Sequence, residues 1–130
     1  MNSVEYVFVY GRLRCGFWNE LLLRNAKCLG TARTVQAYAL YARPMPYVTV
    51  EEAVCPVWGE VYAVKGHTLR QIDSLMAHPT WYRRRVTPVL LEDGKEVSAW
   101  LYTRRGAGGS LVKSGDLLER TGAAAEPGWE

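Results

Sequence analysis

The sequence predicts an α+β domain built on a curved or closed sheet with short helices. Runs rich in Val, Tyr, Thr and Trp recur between Glu5 and Thr103, as half-buried pleated strands require. Helical spacing of apolar residues is clear in one stretch, Thr68 to Ala77. The strands do not alternate regularly with helices, which argues against a doubly wound parallel sheet. A chain of 130 residues fits one domain. Residues 1–120 are assigned to it, and the stretch 121–130, with Ala123, Ala124, Ala125, Pro127 and Gly128, is expected to be a flexible tail.

Glu5 to Tyr10 reads as a buried first strand, and Gly11 to Gly16 as the turn after it. Phe17 to Asn25, with Leu21, Leu22 and Leu23, reads as a short helix. Gly30 to Arg43 holds one or two strands, which Pro44-Met45-Pro46 interrupts because proline lacks the ladder donor. Val57 to Val64 is a further strand, with Gly59 as a bulge or a point of close approach. In the helix from Thr68 to Ala77, the residues Leu69, Ile72, Leu75 and Met76 make one apolar face. Gly66 and Thr68 are its start signals and Pro79 its stop. Trp81 to Leu91 and Glu96 to Thr103 are two strands joined across Glu92-Asp93-Gly94-Lys95, a hairpin signal. Arg104 to Ser110 is glycine-rich and is expected to be a mobile loop.

Composition excludes several function classes. A hydrophobic fraction of 48% is ordinary for a globular core, and a formal charge of +3 does not argue for nucleic acid. The densest basic run, Arg83-Arg84-Arg85, falls in a strand pattern, so its side chains alternate between faces and do not form one patch. No nucleic-acid partner is expected. Cys15, Cys28 and Cys55 form no CxxC pair and no zinc spacing, which with no secretion signal suggests reduced thiols and a cytoplasmic location. No stretch approaches the ~20 apolar residues that a spanning helix needs, and no membrane partner is expected.

Tyr10-Gly11-x-Leu13-Arg14-x-Gly16, with Asn19 following, resembles the substrate loop of the γ-glutamylcyclotransferase-like proteins. The branch is that of γ-glutamylamine cyclotransferase, AIG2-like proteins and the butirosin deprotecting enzyme. Further segments match in order: Pro46-Tyr47, Gly59-Glu60-Val61-Tyr62, Ile72-Asp73-x-Leu75-x-x-His78-Pro79-x-x-Tyr82-Arg83, Ala99-Trp100-Leu101-Tyr102 and Gly115-Asp116. The resemblance implies a small mixed or antiparallel β-barrel with flanking helices and a cavity at one end. It also implies that backbone amides of the Tyr-Gly-x-Leu loop hold a substrate carboxylate. A glutamate on the later helix then shuttles a proton while the substrate's α-amine attacks its γ-carbonyl, releasing 5-oxoproline and an amine. No metal and no cofactor are implied.

Where that family reads Leu-Asp-x-Leu-Glu-Gly, this chain reads Ile72-Asp73-Ser74-Leu75-Met76-Ala77. Met76 takes the place of the acid. A thioether has no titratable proton and accepts hydrogen bonds only weakly, so it cannot be a general base. Losing such a group typically costs ~10²–10⁴-fold in rate. Arg12 stands where the family usually has Ser or Thr, and it either clamps a ligand anion, plugs the pocket or faces solvent.

Other candidates have two readings each. Tyr10, Gly11, Leu13 and Arg14 line the pocket, or are merely a strand end and turn. Met76 is pocket wall or core. Glu60 is a stand-in acid or a support for the loop. Asp73 reaches the site edge from three positions before Met76. His78 is a helix-end residue. Cys15 has nothing nearby in sequence to activate it as a nucleophile. Tyr47 and Tyr82 offer hydroxyls to a ligand or are packed.

The expected function is that of a divergent γ-glutamylcyclotransferase-like enzyme acting on a small molecule: an amine, an amino-acid conjugate or a natural-product intermediate. Cyclisation, rearrangement or elimination in the Tyr10–Leu13 pocket is expected in place of ordinary 5-oxoproline release. One alternative is a non-catalytic ligand-binding or scaffold member. Another is an ordinary cyclotransferase that uses a different acid or carries an engineered Glu-to-Met change at Met76. The expected partner is a small-molecule ligand, to a monomer or homodimer.

Overall fold

The computed structural model describes residues 4–10, 26–42, 46–106 and 109–116. The expected first helix, Phe17 to Asn25, the loop residues Gly11, Arg12, Leu13, Arg14, Cys15 and Gly16, and the tail 121–130 lie outside the described residues.

Eight strands and one helix are described: β1 (Val4–Val9), β2 (Lys27–Thr34), β3 (Ala39–Ala42), β4 (Tyr47–Thr49), β5 (Trp58–Lys65), α1 (Gly66–Leu75), β6 (Arg83–Leu91), β7 (Glu96–Thr103) and β8 (Ser110–Leu111). They form one mixed sheet in the order β1-β5-β2-β6-β7-β4-β3-β8, and β1 also pairs with β7. The five strands β1, β5, β2, β6 and β7 therefore close into a ring. The closure is short, Val7 against Trp100 and Phe8 against Leu101 in parallel. From β7 a three-stranded arm continues outward through the parallel pair Val48–Thr103. The barrel implied by the resemblance is thus a ring with an arm rather than a complete barrel.

Period-two alternation along β1 splits the core in two. Phe8 points into the ring with Leu40, Val61, Val89, Ala99 and Leu101, where Tyr10 just beyond the strand also lies. Val7 and Val9 point the other way, into a second cluster with Leu69, Ile72 and Met76 of the helix segment and Tyr47, Tyr62, Tyr82 and Tyr102. Gly59 is a point of close approach, as the sequence predicts: a Cβ there would lie 2.1 Å from the carbonyl oxygen of Val9. The bulge is elsewhere, in β2, where the register against β5 shifts between Cys28 and Gly30.

The helix starts two residues earlier than expected, after Lys65, with no side-chain cap. It ends at Leu75, before the expected Ala77. Ala77 adopts a left-handed φ of 53°. His78 N–H then donates to the Asp73 carbonyl (2.9 Å) and Ala77 N–H to that of Ser74 (3.2 Å). This is the Schellman pattern of C-terminal closure, with alanine where glycine is usual. Leu69 and Ile72 are buried, but Leu75 is 43% exposed. At about 100° per residue Leu75 lies ~120° round from Leu69, on the flank of the buried stripe. The strand expected from Trp81 starts at Arg83, because Trp81 and Tyr82 donate their N–H groups to the carbonyls of Ala77 and Met76 instead of to a strand. The hairpin at residues 92–95 is as expected, with Gly94 at φ 91°.

Candidate functional site

The Schellman closure fixes Met76 at the last turn of α1, where it is 2% exposed. Its neighbours in the cluster are Val7 and Val9 from the end of β1, Tyr62 and Val64 from β5, and a set of tyrosines. Helix end and first strand end thus meet in one packed region. The loop that begins at Gly11 lies outside the described residues, so Arg12, Leu13 and Arg14 are not placed against Met76.

The tyrosines satisfy their hydroxyls internally, as buried polar groups must. Tyr10 donates to the Tyr102 carbonyl at 2.7 Å, and Tyr82 to the Pro46 carbonyl at 3.1 Å. Tyr47 is buried and stacks on Tyr41, with ring centroids 5.3 Å apart. Burial pushes the Tyr10 hydroxyl well above the ordinary tyrosine range. Burial also raises Tyr82, against the opposing influence of the Arg104 guanidinium. Both are neutral donors at physiological pH.

Two carboxylates lie close to this region. Glu60 of β5 accepts from the Tyr62 hydroxyl at 3.1 Å. Glu60, Tyr62 and Val64 share one face of β5, and Tyr62 and Val64 pack in the Met76 cluster. The stand-in acid of the sequence reading therefore sits on the helix side of the sheet. Asp73 is committed differently. Its Oδ1 accepts from Arg84 Nε at 2.7 Å and from the Tyr102 hydroxyl at 2.6 Å. Burial pushes the Asp73 carboxyl up, but these two hydrogen bonds and the Arg84 charge outweigh it and hold it below the usual range. Tyr102, buried and hydrogen-bonded to Asp73, is pushed well above its ordinary value. Asp73 is an ionised tie between α1, β6 and β7. Sequence reasoning saw it only at the site edge, since nothing local joins residues 73, 84 and 102.

His78 is a helix-end residue, as expected. Its Nδ1 accepts from Arg84 N–H at 3.2 Å. The Cys55 thiol, raised by burial, donates to the Lys113 carbonyl at 3.2 Å, and Cys15 lies outside the described residues. Among the described residues no group of three or more His, Cys, Asp or Glu side chains is placed to hold a metal ion.

The arginine run splits between faces as its strand pattern predicts, and by itself forms no single patch. Arg84 turns to Asp73 and lies 4.2 Å from the Trp100 ring centroid. Arg83 and Arg85 share the opposite, exposed face, where Arg104 and Arg105 join them around a groove of about 590 Å³. A basic patch does form, because the residues following β7 supply its other half. The antiparallel register, Arg83 opposite Thr103, brings the two pairs together.

Among the described residues a ring-and-arm sheet carries one helix against β1, and the motif series quoted above runs through these elements in order. Over residues 7–119 the chain matches the family described as gamma-glutamyl cyclotransferase, AIG2-like, and it belongs to that family. A Methanocaldococcus jannaschii relative, only provisionally named a gamma-glutamylcyclotransferase, is 47% identical over 120 residues, covering 92% of this chain and 100% of the relative. A gamma-glutamylcyclotransferase family protein of Escherichia coli K12 is 34% identical over 118 residues, 88% of this chain and 96% of its own. Among solved structures, an AIG2-like protein of Mus musculus superposes with a TM-score of 0.72 at 25% identity, covering 82% of this chain and 80% of the other. An uncharacterized protein of Pyrococcus horikoshii gives 0.70 at 29% identity, over 95% and 98% of the two chains. No helix among the described residues is long and apolar enough to cross a membrane.

Proposed function

We propose that this chain is a γ-glutamylcyclotransferase-like enzyme whose chemistry departs from ordinary 5-oxoproline release. The observation that supports this is Met76, held by the helix closure and 2% exposed where the resemblance calls for a glutamate. The nearest acid along the helix, Asp73, is held ionised by Arg84 and Tyr102. With Oδ1 committed to both partners and its carboxyl held below the usual range, it is a poor replacement for a glutamate proton shuttle.

The substrate is a small amine, amino-acid conjugate or natural-product intermediate, bound at the loop that begins at Gly11. Positioning and exclusion of water by the tyrosine-rich cluster supply the rate enhancement, since a well-oriented intramolecular reaction needs no titratable side chain. Cyclisation, rearrangement and elimination all fit this description. The close packing of Met76 also favours a second reading, a non-catalytic ligand-binding member.

Incubation with a pool of amine and amino-acid conjugates, followed by mass spectrometry, separates the two. The enzyme reading expects protein-dependent conversion of at least one compound to an isomer or to a product lacking a small leaving group. Retention of a compound by the protein without any conversion would sink it in favour of the binding reading.

A further inference from the structure

We infer that the arginine groove is a second binding site, built for a nucleotide. It lies between the Thr49–Glu51 segment, the Pro79–Trp81 turn, the start of β6 and the end of β7. Its four arginines, Arg83, Arg85, Arg104 and Arg105, face one glutamate, Glu51. That surplus equals the formal net charge of the whole chain, +3, so the rest of the surface is balanced.

Among the described residues, none of Arg83, Arg85 and Arg105 is paired with a carboxylate. Glu51 does not neutralise them. Its Oε1 accepts from Gly106 N–H at 2.9 Å and stands 3.3 Å from the Thr49 hydroxyl. Arg104 is fixed in place, its guanidinium carbon 5.5 Å from the Trp81 ring centroid and 5.6 Å from those of Tyr47 and Tyr82. Guanidinium forks match phosphate oxygens bidentately. A single carboxylate would leave most of this charge uncompensated, so the ligand carries phosphate.

The second feature is Trp81. Trp81 is 64% exposed at the edge of the same groove. An exposed indole beside guanidinium groups is a stacking platform for a planar base. A volume of about 590 Å³ is the size that holds one small ligand. Phosphates on Arg83, Arg85 and Arg105 with a base on Trp81 describe a nucleoside diphosphate or a close analogue.

Calorimetric titration of the full chain tests this with three probes: adenosine diphosphate, inorganic pyrophosphate and a single-stranded octanucleotide. The expected result is binding of the diphosphate nucleotide, weakened at least tenfold in Arg83→Gln/Arg85→Gln and several-fold in Trp81→Ala. Pyrophosphate binds more weakly than the nucleotide. Arg85→Gln and Arg105→Gln singly, at exposed side chains with no ion pair to lose, keep the test valid if the double variant misfolds. No nucleotide binding at millimolar concentration would overturn the proposal, as would affinity unchanged in the variants. Pyrophosphate binding as tightly as the nucleotide would remove the base-stacking role. An octanucleotide binding tenfold more tightly than the mononucleotide would reassign the groove to nucleic acid.

Discussion

The end of α1 and the arginine groove lie on two sides of Tyr82 and have opposite chemistry. The helix end is closed. Met76 is buried, each tyrosine whose hydroxyl bond is resolved donates to a carbonyl or carboxylate, and the acid that the resemblance expects is absent. The groove is open, and its guanidinium groups lack carboxylate partners among the described residues. Arg104 stands at the boundary, over Tyr47 and Tyr82 on one side and Trp81 on the other. In the first region an apolar side chain fills a place that packing closes. In the second, charge has been gathered where water still reaches it. Substitutions in the helix end should therefore cost stability, whereas substitutions in the groove should cost binding.

Met76→Glu should have the largest effect. Length is conserved, but the carboxylate enters an apolar, tyrosine-lined site, and the effective penalty for a buried ion is several kcal/mol. Burial raises the folded-state pKa of such a group above its unfolded value. The destabilisation is then small below about pH 4 and grows as pH rises toward the raised folded value. Urea denaturation at pH 5 and pH 8 checks this: the gap from the wild type should widen at pH 8. An equal gap at both values would mean that the site hydrates the carboxylate and is not closed.

Asp73→Asn should come next, at about 1.5–3 kcal/mol, the range for hydrogen bonds to charged groups. It removes the tie to Arg84 and weakens that to Tyr102. The sign of its pH dependence is the reverse of the first case. A lowered folded pKa gives stability that is present above the unfolded value of about 3.9 and lost as pH falls through the folded value. The wild type should lose its advantage over Asn on acidification from pH 6 to pH 3, which thermal melts would show.

Ala77→Gly is a smaller and opposite case. The left-handed φ of 53° costs an alanine roughly 1–2 kcal/mol, partly offset by the unfolded-state entropy of glycine. A net gain of about 0.5 kcal/mol is expected in the denaturation midpoint. Smallest of all is Arg85→Gln in the groove. An exposed arginine with no ion pair leaves stability within about 0.5 kcal/mol of the wild type. A loss beyond 1 kcal/mol would show a structural contact and blur the distinction between the regions.

Much of the ring was legible in the sequence, because the Val-, Phe- and Tyr-rich run from Glu5 to Tyr10 and the run from Glu96 to Thr103 have strand-forming composition. Gly59 was legible as a close approach since only a missing Cβ fits against the Val9 carbonyl. The helix end was less so: its closing residue is Ala77, and alanine gives no left-handed signal. The Asp73–Arg84–Tyr102 tie joins three elements and has no local signature. The groove was hidden for the same reason. Alternation within Arg83-Arg84-Arg85 argues against a patch until the register with β7 brings Arg104 and Arg105 alongside. The methionine at Met76, where the resemblance implies a glutamate, is by contrast a property of one position and was visible from the motif alone.

The central claim is that the fold persists here without the family's proton shuttle. Release of 5-oxoproline from γ-glutamyl-ε-lysine, measured for the wild type, Met76→Glu and Glu60→Gln, tests it most directly. No release by the wild type above a protein-free control is expected, with measurable release by Met76→Glu where the loop accepts a γ-glutamyl group and none where Arg12 plugs it. Robust release by the wild type, abolished in Glu60→Gln, would contradict it and make the strand carboxylate the catalytic acid.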